Sequence, residues 1–580
     1  MKYKLAQHLS TQAENCIQDI LRARGVENIE AYVNPSKEWE NDAHKLEHID
    51  EAAQKLIKHL QKDSKIVIVV DADCDGNTSA AILWNYIKHF FPNSCLRYIC
   101  HEHKGHGLED LIDELETHND IDLVIVPDAG SFDTEYYKRL NAIGTECLCL
   151  DHHDAPEYPI NCICVNNQLS TDYPNKSLCG AGIVYKFCQV LDEYLSPKEP
   201  HAPFYLDLVA LAEIGDCMSP ANPETRYYIY QGLQHINNAF FRQLVVEQSF
   251  SMFKTSREIN YIKVAFYIAP LINAVVRVGT MEEKRYMFRA FIEPDAEIPT
   301  TKRGVKAGTL LNICDEMARR ASNAKARQNR VKDKATALLE GRVQKEGLLD
   351  NKILVIEVYD EDDIPQELRG LIAAQFVNKY HRPTLIGKAN EEGFLRGSIR
   401  GNDSFEEVPD LKTFLLDSGF MESVTGHSNA AGYSIKKAYL PDLLDYANTH
   451  ISDQGLDNVY NVDYIFNAND EFTDLGLTLA KAERFWGNEI REPVAVIKDI
   501  PLTDVKYQGE NKDTVKITYN GVSYVKFKDD DFAQIIEHAA KSKTSTITIY
   551  GKFNANVWAG RTTLQVFIND YDIRDTKWDF

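Results

Sequence analysis

From residue 65 to about residue 216, short apolar runs alternate with longer stretches of helical period. The runs are KIVIVV at 65–70, LVIVP at 123–127 and CLCL at 147–150. The first unit predicts a strand at 65–70, a turn at 71–77 and a helix at 78–91. Such alternation makes a parallel sheet with helices on its faces. Ahead of it, residues 10–62 read as helical. Ile17, Ile20 and Leu21, then Ala52, Ala53, Leu56, Ile57 and Leu60, recur at helical spacing. Residues 204–290 predict mainly helix, and 305–346 one long charged helix. A second α/β region begins at 352 and runs to about 452, with a helix near 367–380, strands at 384–386 and 394–399, and a Gly/Ala-rich turn at 425–432. Beyond about 458 the pattern turns to strands at 515–519, 522–527, 546–553 and 563–568. Asn520-Gly521 makes a two-residue hairpin turn between the first two. Short strands with one helix at 531–541 predict a small closed barrel of the OB type. The fold class is α/β, divided into a helical lead-in (1–62), a parallel-sheet domain (63–304), a connector helix (305–346), a smaller α/β domain (347–455) and an OB-like domain (456–580).

Length agrees with several domains, since 580 residues are too many for one core. A hydrophobic share of 44% with 26% charged residues is that of an ordinary globular protein. No run approaches the roughly 18 apolar residues of a membrane span. The start, MKYKLAQHLS, shows no signal peptide, so a cytoplasmic place is expected. The net charge of −23 argues against a surface coated in positive charge for DNA. It leaves room for a nuclease, because bound cations and a local basic groove can supply the field. The longest basic stretch, 319–334, reads either as a solvated helix face or as a wall of a nucleic-acid channel. All 12 cysteines lie at or before Cys314. Cys147/Cys149 and Cys162/Cys164 form same-face strand pairs, and Cys100-His101-Glu102-His103 lies near His106. Neither has the usual C-x₂-C spacing of zinc or iron–sulfur sites, and buried reduced cysteine is a common core residue.

The predicted strands end in acids and imidazoles. Asp71, Asp73 and Asp75 follow the first, Asp128 the second, and Asp151, His152 and His153 the third. Ligands in open α/β sheets bind outside the carboxyl ends of the strands. Oxygen and nitrogen donors of this kind suit Mn²⁺, Mg²⁺ or Zn²⁺, and spare carboxylates suit two-metal phosphoryl chemistry. If the chain stays extended, Asp71, Asp73 and Asp75 share related faces; Gly76 then permits a sharp turn, and Asn77 or Thr78 caps the next helix. A calcium loop from Asp71 needs Glu at its twelfth position, where Ile82 stands. Asp128 alone could cap a helix starting near Asp133, and Asp216 is a fourth candidate acid. Downstream, Arg396-Gly397-Ser398-Ile399-Arg400 places two arginines at a strand end. The small-residue turn 426–432 carries His427, and small residues let backbone approach a phosphate.

Together these segments resemble the DHH phosphoesterase superfamily, and most closely its RecJ exonuclease family, in order along nearly the whole chain. The Asp-x-Asp-x-Asp-Gly motif is Asp71 to Gly76. Gly105-His106-Gly107-Leu108 resembles the family's Gly-Tyr-Gly-Leu loop. Asp128, Asp151-His152-His153 and Asp216 fit the next three motifs, and Leu271-Ile272-Asn273-Ala274 with Arg277 resembles Arg-Ile-Asn-Ala-x-x-Arg. Gly370-Leu371-Ile372-Ala373, Gly397 to Arg400 and Gly426 to Gly432 resemble the DHH-associated domain. Trp486-Gly487-Asn488, Trp558-Ala559-Gly560-Arg561 and Leu564-Gln565 resemble the RecJ OB domain. Ala129, Leu271 and Thr425 depart from the family pattern, but no presumed metal ligand is missing.

The resemblance implies a metal-dependent exonuclease that hydrolyses single-stranded DNA 5′→3′ in repair, recombination or replication. It implies Asp73, Asp75, Asp128, His152 and Asp216 as ligands of one or two Mn²⁺ or Mg²⁺ ions, with His153 a further catalytic ligand or phosphate contact. Asn273, Arg277, Arg369, Ser398, Arg400, Gly426 and His427 are the expected substrate contacts. Trp558 and Arg561 are expected to grip the strand in the OB-like domain. Single-stranded DNA is the expected partner, with a single-strand-binding protein or a helicase as protein partners, no membrane, and a monomeric chain. Alternatives are a phosphodiesterase for short or cyclic oligonucleotides, a noncatalytic RecJ-like binding protein, and a pyrophosphatase of the same superfamily.

Overall fold

The computed structural model describes residues 1–575 apart from residues 8, 104, 119, 157, 254–257, 307, 458, 543 and 559. The chain forms two compact units: residues 17–325 with 482–492, and residues 1–16, 326–481 and 493–580.

The first unit is built on a five-stranded sheet, ordered Leu96–Cys100, Ile66–Val70, Leu123–Pro127, Glu146–Asp151, Ile163–Asn166. Every adjacent pair is parallel. The central strands are apolar throughout because both faces are covered. Ile66, Ile68, Val70, Leu123, Ile125, Leu148 and Leu150 face the helices Cys74–Phe90 and Gly180–Leu195 in the larger core. Val67, Val69, Val124, Val126, Cys147, Cys149 and Cys164 face the smaller core with Tyr137 and Leu140. The same-face cysteine pairs are therefore core packing, and none of the twelve cysteines is in a disulfide. Further helical stretches of this unit include Leu206–Gly215, Pro223–Gln234, Ala239–Met252, Tyr261–Val278 and Met281–Ile292. Contrary to the sequence expectation, Tyr261–Val278 is long and apolar enough to span a membrane, with mean hydropathy 1.5. Val264, Ile268, Leu271, Ile272 and Val275 bury it in the larger core. The lead-in is also not one helical run. Gly25, at φ +79°, and the Asn34 C-cap divide it into Cys16–Ala23, Ile29–Val33 and Ile49–Gln61.

In the second unit a five-stranded sheet runs Met421–His427, Ala430–Lys436, Phe394–Arg400, Thr384–Ala389, Leu354–Glu357. Only its last pair is parallel. The helix Gln366–Tyr380 packs on it. The Gly/Ala-rich turn is a hairpin, with Ser428-Asn429 as its two turn residues. A seven-stranded mixed sheet follows, ordered Tyr464–Asn467, Val494–Pro501, Ser545–Trp558, Arg561–Asp575, Val522–Lys526, Thr514–Tyr519, Val505–Gln508. Among the described residues no ladder joins its outer strands. Side chains link the first outer strand's end to the penultimate strand instead: the Tyr519 hydroxyl donates to Asn469 Oδ1 (2.8 Å), and the Asn520 amide to the Ala468 carbonyl (3.2 Å). Asn520 and Gly521 have φ of 45° and 77°, the left-handed pair that a tight hairpin requires. Lys2–Leu5, unforeseen as a strand, pairs in parallel with Val459–Val462.

The helix Ile313–Lys345 runs from the first unit into the second. Part of its basic stretch is structural, since Arg319 and Arg320 both pair with Glu316.

Candidate active site

The first helix starts at Cys74, four residues earlier than expected, and Asp73 rather than Asn77 or Thr78 is its N-cap. Asp73 accepts from the Gly76 N–H at 2.9 Å. The chain is therefore not extended through the acidic motif, and its three acids go to different places. Asp71 is buried and accepts from the Gly107 N–H and His106 Nδ1, both at 3.0 Å. Buried His101 lies 3.6 Å from the same carboxylate. Asp75, in the first helical turn, accepts from the Gly180 and Ala181 N–H groups at 2.7 and 2.8 Å and from Ser79 at 3.0 Å. The positive end of the helix Gly180–Leu195 thus fixes Asp75. Gly76 is not a positive-φ turn residue. A Cβ there would lie 2.5 Å from Asp71 Cβ, so the motif's glycine serves close approach.

Asp128 does not cap the next helix; Asp133 stands at that position. Asp128 sits at φ 66°, a rare left-handed conformation for aspartate that marks a constrained site. Its Oδ1 lies 3.2 Å from His152 Nε2, and both atoms are buried without a hydrogen-bond partner. His152 Nε2 is also 3.7 Å from Asp75 and 3.6 Å from Asp216, the C-cap residue of Leu206–Gly215. Asp151 faces the opposite way and organises the motif. It accepts from the His152 N–H (2.7 Å), the Ser131 N–H (2.9 Å) and His153 Nδ1 (2.8 Å).

Three donor sets gather with their ligand atoms within 4.8 Å of one another: Asp75/His152/Asp216, Asp128/His152/His153 and Asp71/Asp73/Asp128. Burial, reinforced by the neighbouring carboxylates, pushes Asp73 up to about 6, Asp216 up to about 8 and Asp128 well above the carboxylate range. So many buried acids around an unpartnered imidazole nitrogen lack positive charge, and a divalent cation fits them. Burial opposes ionisation of Asp71 as well, but its histidine partners win and hold it at about 2.

A cavity of about 160 Å³ opens beside this cluster, lined by Ala72, Asp73, Asp75, Gly215, Asp216, Asn273, Val276 and Arg277. It brings two expected substrate contacts, Asn273 and Arg277, to the acids. The fold therefore unites Asp73, Asp75, Asp128, His152, His153, Asp216, Asn273 and Arg277 in the first unit. The other expected contacts belong to the second unit. Arg400 stands opposite Ala430, which stands opposite His427, so the two form one cross-strand row. Ser398 stands opposite Gly432 two residues along, and Gly426 has φ 125°. Arg369 is buried with its Nε unpartnered. A Cβ at the neighbouring Gly370 would meet Arg400 Nη2 at 2.5 Å. Trp558 and Arg561 pair at the end of the long hairpin; the Trp558 side chain lies outside the described part of the structure. Sequence reasoning missed the orienting roles of Asp71 and Asp151 and the Gly180–Ala181 backbone. The small residues at 180–182 were the available signal.

Residues 65–212 match the DHH family, N-terminal domain, and residues 465–570 match the RecJ OB domain. The chain is 37% identical over 567 residues to the putative SPbeta prophage-derived single-strand DNA-specific exonuclease YorK of Bacillus subtilis, covering 96% of each chain. It is 24% identical to the single-stranded-DNA-specific exonuclease RecJ of the same organism, over 91% of this chain and 64% of that one. The crystal structure of RecJ in complex with Mn²⁺ from Thermus thermophilus superposes with a TM-score of 0.71 at 19% identity, covering 99% of this chain and 79% of that one. The chain belongs to the DHH phosphoesterases, in their RecJ family.

Proposed function

We propose that this protein is a metal-dependent exonuclease that hydrolyses the phosphodiester bonds of single-stranded DNA, 5′→3′, in DNA repair, recombination or replication in the cytoplasm. The observation that carries this reading is the convergence on His152 of Asp75 and Asp128, which follow parallel strands, and of Asp216, which ends the helix Leu206–Gly215. Full-length similarity to YorK, a relative named for single-strand DNA, supports the substrate. Asp73, Asp75, Asp128, His152 and Asp216 would hold one or two Mn²⁺ or Mg²⁺ ions. Such ions neutralise charge on phosphate oxygens and make water a nucleophile at neutral pH. Asp151 holds His153 toward the substrate, and Asn273 and Arg277 face the cavity. Arg369, Ser398, Arg400, Gly426 and His427 are the proposed contacts to nonbridging oxygens, with Trp558 and Arg561 gripping the strand further along. A single-strand-binding protein or a helicase is the kind of partner that would present the strand.

The test is digestion of DNA strands labelled at either end, with Mn²⁺ and Mg²⁺ compared. Stepwise shortening from the 5′ end of single strands is expected, with matched duplex resistant. Asp128→Ala should lower the rate by about 10²-fold or more. Activity confined to dinucleotides or cyclic dinucleotides would overturn the reading.

A further inference from the structure

Two carboxylate-held imidazoles stand side by side at the rim of the acidic cluster. In one, Asp151 Oδ1 takes His153 Nδ1 at 2.8 Å. In the other, Asp71 Oδ2 takes His106 Nδ1 at 3.0 Å. The rings of His106 and His153 meet edge to face, with centroids 4.6 Å apart, and His153 lies 4.3 Å from His152. Both carboxylates are buried, whereas the His106 side chain is 53% exposed and that of His153 41%.

The loop carrying His106 is built to hold it there. Gly107 adopts φ +69°, and its N–H bonds Asp71 Oδ1 at 3.0 Å. The Leu108 N–H is tied to Asp133 Oδ2 at 2.8 Å. A Cβ at Gly105 would collide with the ring of buried His101. Glycines on both sides and these two backbone tethers hold the imidazole at the rim. In the family loop that the sequence resembles, tyrosine stands at this position.

We propose that His106 is a substrate-contacting residue: with Nδ1 committed to Asp71, its Nε2 meets a phosphate oxygen of the strand beside His153. A carboxylate behind an imidazole fixes its direction and favours the imidazolium, in which both ring N–H groups donate, one to Asp71 and one outward. Asp71 is then a positioning residue that acts through His106. This assignment rests on the nuclease reading above.

The experiment compares wild type with His106→Ala, His106→Gln and His106→Tyr in Mn²⁺-supported hydrolysis of a labelled single strand. Mn²⁺ binding is followed by calorimetry on the same preparations. For His106→Ala, KM is expected to rise about tenfold with kcat changed less than about threefold, as loss of a hydrogen bond to a charged group gives. Mn²⁺ affinity should stay within about twofold of wild type, and His106→Tyr or His106→Gln should recover most of the loss in KM. Wild-type KM in His106→Ala overturns the assignment while leaving the nuclease reading intact. So does a fall in Mn²⁺ affinity as large as the rise in KM, since His106 would then only support the cluster. Absence of wild-type hydrolysis overturns the nuclease reading and this assignment with it.

Discussion

A methyl group on Gly180 would lie 2.6 Å from Asp128 Cβ and 2.7 Å from its Cα, distances that real side chains do not reach. Gly180 also donates its N–H to Asp75. One glycine therefore sets the spacing between two acids from different strand ends. Gly180→Ala must move either the helix start or Asp128, whose φ of 66° leaves it little freedom. Mn²⁺ affinity should fall about 10- to 100-fold, the usual cost of disturbing groups that orient metal ligands. Isothermal titration checks this, and wild-type affinity would show that the two acids do not depend on the contact. At this scale the acids and imidazoles were legible because strand ends announce them. Gly180 was not, because its importance comes from a contact with a residue 52 positions earlier. The role of Asp71 was hidden for the same reason: its partners His101 and His106 arrive on a separate strand and loop.

The helix Ile313–Lys345 is locked at its start by one buried acid. Glu316 accepts from the Thr300 hydroxyl (3.0 Å), the Thr301 N–H (2.9 Å), Arg319 Nη2 (2.6 Å) and Arg320 Nε (2.9 Å). Burial works against its charge, but these donors prevail and hold it at about 2, below its ordinary 4.5. A depressed folded-state pKa contributes stability that is fully present above 4.5 and is lost as pH falls toward 2. Glu316→Gln should cost about 2 kcal/mol at pH 7, since it strands buried donors. Its deficit against wild type should shrink as pH is lowered through that window, and thermal melts at a series of pH values read both effects. An unchanged deficit at pH 3 would mean that the charge of Glu316 is not what holds the helix start. Elements made from their own residues were the legible ones, such as the apolar parallel strands and the Asn520-Gly521 hairpin. The strand Lys2–Leu5 was not, because four alternating residues signal little without a partner some 450 positions away. The early start of the helix at Cys74 was missed because Asp73 both caps it and reads as a metal ligand.

Over the whole molecule, 87 acidic residues oppose 64 basic ones. A polyanionic strand approaching a chain of net charge −23 meets repulsion everywhere except where local cations reverse it. The candidate site itself is acidic, with Asp73, Asp128 and Asp216 all driven toward protonation by burial and mutual repulsion. Bound divalent ions would invert the local field and make the site attractive to a phosphate. Strand binding and metal binding should therefore be linked, not merely successive. Removal of divalent ions with EDTA should abolish hydrolysis and weaken binding of a labelled single strand by about tenfold or more, read by fluorescence anisotropy at fixed ionic strength. Linkage also requires the reverse, that single-stranded DNA tightens Mn²⁺ binding by the same factor. Mn²⁺ alone should raise the melting temperature, because ions that bind only the folded chain stabilise it by about 2.7 kcal/mol at a hundred times their Kd. A strand affinity indifferent to EDTA would place the attraction elsewhere, in the arginines of the second unit. Arg400→Ala, and not chelation, would then be the change that releases the strand.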